Sequence, residues 1–364
     1  MRLRSFLLFS CLALVACAGI LGLEEPTFFG GDAGSETGSG DAPSDGASSA
    51  DAPPVCVPHE TEQLAKGYGL VYDLAIDSDA VYFTSFDRWL LVRITKDGTN
   101  MNELLPEGGV QEPTGLRVQG AHVYWTAYGA GNFADYRNGV RRIPKVGGKP
   151  ESYEVCNTAF DLAVDEKHVY AVSSVCGDVV RVRRYVKDEP AAKGFVESYR
   201  DGTMSMEFGY ATFGWTGEDS DSIYWASAKS IRKLAKSYGP DAAPTIIGDA
   251  PESVFEALTV DDRVYALTQN VLYAFDKNGA AKPVILVEGL SATGARAAIA
   301  LDEKYVYFTE PKGGFVSRVP RAGTAKPETL AMDQALPSGI AVDACSIYWT
   351  NAGDGSVWRM PKPK

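Results

Sequence analysis

Histidine, the side chain most often used to move protons near neutral pH, occurs three times in this 364-residue chain. His122 and His168 stand just before the Val of two similar segments, "HVYWT" and "HVYAV". Comparable segments have Ala80, Ser222, Arg263, Tyr305 and Ser346 at that place. A position that accepts all of these reads as a solvent-facing turn. His59 lies alone, ahead of the first such segment. No serine stands in a Gly-x-Ser-x-Gly context and no phosphate-binding loop is present. Aspartates recur as Asp77, Asp165, Asp261, Asp302 and Asp343, each closing a short apolar segment such as "LAID" or "IAVD". One acid per unit at one place predicts a turn device that accepts backbone N–H groups, not a catalytic carboxylate set. Arg93, Arg181, Arg318 and Arg359 each fall 11 residues after the Tyr of their unit. That regularity predicts pairing between strands or blades. No catalytic residue, cofactor or clustered metal spacing emerges. A calcium site of Asp, Glu and Asn from distant segments stays open.

The elements that position these residues are repeats. "VYFT" at 81 recurs as "VYWT" at 123, "VYAV" at 169, "IYWA" at 223, "VYAL" at 264, "VYFT" at 306 and "IYWT" at 347. The intervals are 42, 46, 54, 41, 42 and 41 residues. A short apolar strand precedes most copies. A third strand follows each ("LVRIT", "VRRIP", "VVRV", "IRKL", "LYAF", "VSRVP", "VWRMP"), often with a Gly turn such as "KDG", "KVGG", "KNG" or "RAG". Short alternating segments in units of this length, with no 3.6-residue period, are the pattern of β-propeller blades. The expected fold is all-β, a seven-bladed β-propeller over residues 56–364. The motif resembles the YWTD repeats of low-density-lipoprotein-receptor-type propellers and, more loosely, NHL-type repeats. The Asp of YWTD is missing from every copy, with Asn351 nearest, and the copy number differs too. The likeness therefore implies the fold and not the receptor function.

The chain ends two strands after the inner strand of its seventh unit, so that unit lacks an outer strand. Residues 60–66, "ETEQLAK", have no partner in the first unit and are expected to supply it. Cysteines test this. Cys56 and Cys345 would share one face of the last blade, and Cys156 and Cys176 one face of the third. Of the three pairings open to four cysteines, 56–345 with 156–176 is the sensible one in an oxidising compartment.

Export is indicated by the N-terminus. Met1 to Arg4 is basic and Phe6 to Val15 apolar, too short to span a bilayer but suited to a signal peptide. Leu14-Val15-Ala16-Cys17 resembles the bacterial lipobox. The resemblance implies removal of residues 1–16 and acylation of Cys17, which would anchor the protein to a membrane. Ala18 in place of Asp leans towards the outer membrane of a bacterial cell envelope. Residues 17–55 hold seven acids, no Lys or Arg, and much Gly, Ser, Ala and Pro, a composition expected to remain a disordered tether. The net charge of −12 argues against a nucleic-acid partner.

Function should lie where the repeats break. Residues 127–139, "AYGAGNFADYRNG", replace a short turn and bring Tyr128, Phe133, Asp135, Tyr136 and Arg137. The "SFDRW" turn adds Phe86, Asp87, Arg88 and Trp89. Aromatic and charged residues together are enriched at binding surfaces. A second long break, 200–210, lies on the same face. The expectation is a membrane-tethered extracytoplasmic recognition or scaffold propeller that binds a protein, peptide or glycan. The alternative is a propeller enzyme similar to streptogramin lyases or calcium-dependent lactonases, and the histidine census weighs against its histidine-dependent form.

Overall fold

The structure is a computed structural model. It describes residues 56–106, 108, 113–127, 139–153, 159–174, 180–190, 195–201, 213–227, 229–239, 242–250, 255–323 and 326–363. These belong to the compact unit Pro53–Lys364. Cys17 and the tether, Cys156 and Cys176, residues 128–138 and residues 202–210 lie outside the described residues.

Seven four-stranded antiparallel sheets form the fold, with no helix among the described residues. Blade 1 spans Val71–Leu105, blade 2 Pro113–Ser152, blade 3 Ala159–Asp201 and blade 4 Phe213–Asp249. Blade 5 spans Phe255–Glu288 and blade 6 Ile299–Ala331. Blade 7 takes three strands from Pro337–Pro361 and its outer strand from Glu62–Ala65 near the other end of the chain. Gln63 pairs with Trp358 and Ala65 with Val357. The closing strand thus falls within the expected 60–66. A disulfide joins Cys56 to Cys345 across 289 residues of sequence. The first and last strands of the propeller are thus fixed in one sheet, and the ring has no free edge there.

The ring forms because each blade has two apolar faces. Side chains alternate along a strand, so Tyr82 faces blade 2 while Phe83 faces blade 7. Tyr124 packs towards blade 3 and Trp125 towards blade 1. Tyr224 and Trp225, Tyr307 and Phe308, and Tyr348 and Trp349 repeat the division. The Tyr always meets the next blade and the following aromatic the previous one. Seven apolar clusters therefore coincide with seven interblade spaces, and no blade could bury both faces alone.

The recurring aspartate is a turn device, and more. Asp77 Oδ1 accepts the N–H groups of Asp79 at 2.9 Å and Ala80 at 2.8 Å, and its Oδ2 accepts the Tyr82 hydroxyl at 2.9 Å. Lys145 of blade 2 then approaches Oδ2 at 2.7 Å. The same clasp joins Asp165 to Lys236 at 2.9 Å, and Asp219 to Lys277 and Asp302 to Lys362 at 2.7 Å. Asp343 and Lys96 close the ring at 2.7 Å. Between blades 5 and 6, Arg321 serves Asp261 at 2.8 Å and also Asp262. Between blades 2 and 3, Gln119 replaces the acid, and Arg142 bridges to Asp188 at 3.3 Å. Partial burial alone would push these carboxyls up. The lysine, the two N–H groups and the Tyr hydroxyl outweigh it and hold Asp77, Asp165, Asp219 and Asp302 at about 2.

Arg93, Arg318 and Arg359 stand opposite Tyr82, Tyr307 and Tyr348 across the sheet, as their spacing predicts. Arg181 does not. It lies opposite Ser173, and Arg184 is the residue facing Tyr170, so Tyr and its partner stand 14 residues apart in this blade and not 11.

Candidate functional site

The first-to-second and third-to-fourth turns form one rim of the ring, the clasp rim. The second-to-third turns and the links between blades form the other, the open rim. His122 and His168 begin second strands and sit partly exposed on the clasp rim. His59 joins them there, its Nε2 2.8 Å from the Ser346 hydroxyl. All three histidines therefore lie away from the open rim.

On the open rim, the "SFDRW" turn folds against the link that enters blade 1. Asp87 Oδ1 accepts the Leu70 N–H at 2.7 Å and the Ser85 hydroxyl at 3.1 Å. Arg88 donates to the Gly67 carbonyl at 3.1 Å and lies over the Tyr68 ring. The Phe86 ring packs 5.5 Å from that of Tyr72. Gly69 is required here, since a Cβ would meet Asp87 Oδ1 at 2.4 Å and φ is +70°. Phe86, Asp87 and Arg88 are thus committed within the turn, while Trp89 remains 36% exposed with φ of 56°. Among the described residues, positive φ occurs at two other non-glycine positions, Asp333 and Leu336, in the link between blades 6 and 7. That link is also on the open rim. So are the exposed Phe315 and Met332.

Below this rim, the inner strands enclose a channel with a cavity of about 370 Å³. Two places before the rim acid, the inner strands carry Ala75, Ala163, Gly217, Thr259, Ala300 and Ala341, but Arg117 in blade 2. Four places before it, blades 1 and 3 carry Asp73 and Asp161, where blades 2, 5, 6 and 7 have Gly or Ala. Gly115 makes room for the cluster, because a Cβ there would meet Asp161 Oδ1 at 2.7 Å. Arg117 spans two blades, donating to Asp161 Oδ2 at 3.1 Å and to the Thr216 carbonyl at 3.3 Å. It also donates to the Leu116 carbonyl at 2.8 Å. Asp161 accepts the N–H groups of Leu162 at 2.8 Å and Thr216 at 2.9 Å. Arg296, from the link between blades 5 and 6, comes within 3.9 Å of Asp73.

Burial raises the Asp161 carboxyl, against the pull of Arg117 and Arg296. Burial also works against the Arg117 charge, but Asp161, Asp73 and Glu218 overcome it and hold the guanidinium above its usual value. Glu256, on the inner strand of blade 5, is pushed up by burial to about 7, although the Gln269 amide and Arg296 both oppose this. A carboxyl poised there can hold or release a proton at neutral pH. Among the described residues, no group of three or more His, Cys, Asp or Glu is arranged to hold a metal ion. Sequence reasoning named the Trp89 turn as a candidate and did not see the channel cluster. Its signal was Arg117 at a position reserved elsewhere for small residues. Tyr128, Phe133, Asp135, Tyr136 and Arg137 lie outside the described residues.

No protein-family model matches the chain, and a search of curated proteins gives no match. Solved structures share the fold. Virginiamycin B lyase from Staphylococcus aureus superposes with a TM-score of 0.64 at 16% identity, covering 84% of this chain and 99% of that one. A catalytically inactive His-to-Ala variant of that lyase with quinupristin gives 0.64 at 17%, with the same coverage. A gluconolactonase from Xanthomonas campestris gives 0.50 at 12%, covering 86% and 96%. At such identities the likeness concerns the propeller architecture alone.

Proposed function

We propose that this chain is an extracytoplasmic recognition propeller that binds a protein, peptide or glycan through its open rim. Acyl chains on Cys17 and the 17–55 tether would hold it on a membrane. The observation that carries the reading is Trp89. A bulky residue at positive φ costs on the order of 1–3 kcal/mol and persists only where its surroundings fix it. Here Asp87 and Arg88 fix the turn on residues 67–70. The indole is left exposed with its backbone already ordered, so burying it under a partner costs little further entropy. Exposed, preordered Trp is the usual form of a binding hot spot.

The test is binding of Trp89→Ala to an array of envelope-derived peptides and glycans. Ligands held by the parent protein should bind about 30-fold or more weakly, the loss of a hot spot of about 2 kcal/mol. Unchanged binding by a folded variant would refute the reading. For the anchor, Cys17→Ala should move the protein from the membrane to the soluble fraction; unaltered fractionation sinks that part alone.

A second reading has one observation in its favour. Glu256 at about 7 suits general acid–base work, and the staphylococcal lyase shares the fold. That lyase is inactive as a His-to-Ala variant, whereas the histidines of this chain lie on the clasp rim. Recognition is therefore the better-supported reading. Reversed-phase chromatography of quinupristin incubated with the protein should show the parent peak undiminished; turnover that Glu256→Gln abolishes would establish the enzyme.

A further inference from the structure

We infer that a cavity on the clasp rim between blades 1 and 2 is a binding site for a uronic acid, whose carboxylate is received by Arg93. The site lies opposite the open rim and does not depend on the reading of that rim. The repeats show which group it lacks. In blades 2, 6 and 7, the arginine that faces the Tyr of its blade has a glutamate of the outer strand as partner. Arg142 Nε lies 2.7 Å from Glu151, Arg318 Nε 2.8 Å from Glu328, and Arg359 pairs with Glu62. Two of these arginines also reach the following blade. Arg142 donates to the Lys187 carbonyl at 2.6 Å and Arg318 to the Pro363 carbonyl at 3.3 Å. Blade 3 has Val196 at the glutamate position, and there the Tyr238 ring covers Arg184.

Blade 1 has neither glutamate nor covering ring. Asn102 stands opposite Arg93. Glu103, one place on, belongs to the other face of the strand, near Tyr68. Among the described residues Arg93 has no ion pair and no bond to blade 2. Its guanidinium meets the Tyr82 hydroxyl, which burial raises to about 12 and which Arg93 pulls back. A guanidinium has five N–H donors, so most remain for a ligand. Beside it is a cavity of about 610 Å³, within the range of small-molecule sites.

The lining leaves Arg93 uncompensated. Lys145 is closed on Asp77 at 2.7 Å, and that carboxylate also accepts two N–H groups and the Tyr82 hydroxyl. The remaining acid, Asp79, is exposed on its turn, where water and salt screen it. The group that complements Arg93 is therefore the one the other blades supply in cis, a carboxylate. The body of the ligand meets polar surface. Ser78, Asn100 and Asn102 are exposed, and their side chains make no hydrogen bond among the described residues. A hydroxyl and two amides both donate and accept, which suits the hydroxyl groups of a sugar ring. A fatty acid would leave them unused.

The experiment is saturation-transfer NMR of the full folded chain with sodium glucuronate, beside glucose and sodium acetate. Glucuronate should show saturable transfer that neither glucose, which lacks the carboxylate, nor acetate, which lacks the ring, displaces at equal concentration. Arg93→Gln should weaken binding more than about tenfold, the effect of losing a charge-assisted hydrogen bond. Asn102→Glu supplies the glutamate that the other blades have. It should abolish glucuronate binding while the Tm stays equal to the parent's or rises. A glucuronic acid trisaccharide that competes as well as the monosaccharide assigns the pocket to glycan ends; competition by the monosaccharide alone assigns it to the free sugar acid. Absence of saturable transfer, equal binding of glucose, or unchanged affinity in folded Asn102→Glu would overturn the inference.

Discussion

Removing the Cys56–Cys345 bond should loosen the ring at its one seam. In the chain-entropy relation, a cross-link over 289 residues restricts the unfolded chain by roughly 6 kcal/mol, an upper figure, since measured losses run about 2–5 kcal/mol. The seam has other ties. Gln63 and Ala65 stay in register with Trp358 and Val357, Arg359 pairs with Glu62, and Leu64 packs with Phe83 and Ile94. The ring should thus remain closed in Cys56→Ser/Cys345→Ser, with stability lower by about 2–5 kcal/mol. For a domain of about 300 residues the unfolding entropy is near 0.6 kcal/mol per kelvin, which puts the fall in Tm at roughly 3–8 °C. Calorimetry of the double variant, and of the parent under reductant, should give the same fall. The denaturant slope should rise, because the unfolded chain becomes less compact. A shift below about 1 °C in both samples would refute the claim that this bond constrains the chain.

Two further outcomes concern protons. Asp77, Asp165, Asp219 and Asp302 are held at about 2 against an ordinary 3.8. A depressed acid stabilises fully above its unfolded value and loses that contribution as pH falls through the folded one. The Tm should therefore drop between about pH 4 and pH 2, and Asp77→Asn should flatten part of that drop. Glu256 has the opposite sign: raised from 4.5 to about 7, it keeps its proton in the folded state where the unfolded chain has lost it. Stability should decline as pH rises from about 4.5 to about 7 and level off above. Scanning fluorimetry should show Glu256→Gln gaining on the parent across that window, and parallel profiles would contradict the assignment.

The parts of the fold legible in the sequence were those that repeat. The Tyr-aromatic dyad announced two apolar faces per strand, and an unpartnered "ETEQLAK" together with a seventh unit one strand short announced the closure. The basic half of each clasp was equally periodic. Lys96, Lys145, Lys277 and Arg321 sit inside the "KDG", "KVGG", "KNG" and "RAG" segments. They read as turn residues because their acids lie in other blades, from 58 to 247 residues away. The channel cluster was hidden for the same reason. Arg117 meets Asp161 44 residues on and Thr216 99 residues on, and only ring closure makes them neighbours.

The two rims show why pattern breaks are worth following in this molecule. On the clasp rim, acid, Tyr and base recur with few changes, because each interblade space needs the same lock. Outside the Arg93 cavity, that rim has little freedom to carry a specific surface. The open rim holds its links by varied means: Thr268 bonds within its own turn, Glu310 accepts the Ser291 N–H at 3.1 Å, and Asn351 reaches Gln334 at 3.0 Å. Among the described residues no common device recurs there, so residues can change one blade at a time. The strained backbone of Trp89, Asp333 and Leu336 is also found there. Strain of this kind survives only on a scaffold whose stability comes from elsewhere, and the repeated clasps and interblade clusters are that scaffold. Exchanging the "SFDRW" turn for the short "TQN" turn of blade 5 should therefore leave the ring folded while abolishing rim binding. A ring that failed to close would show that the turn serves the fold.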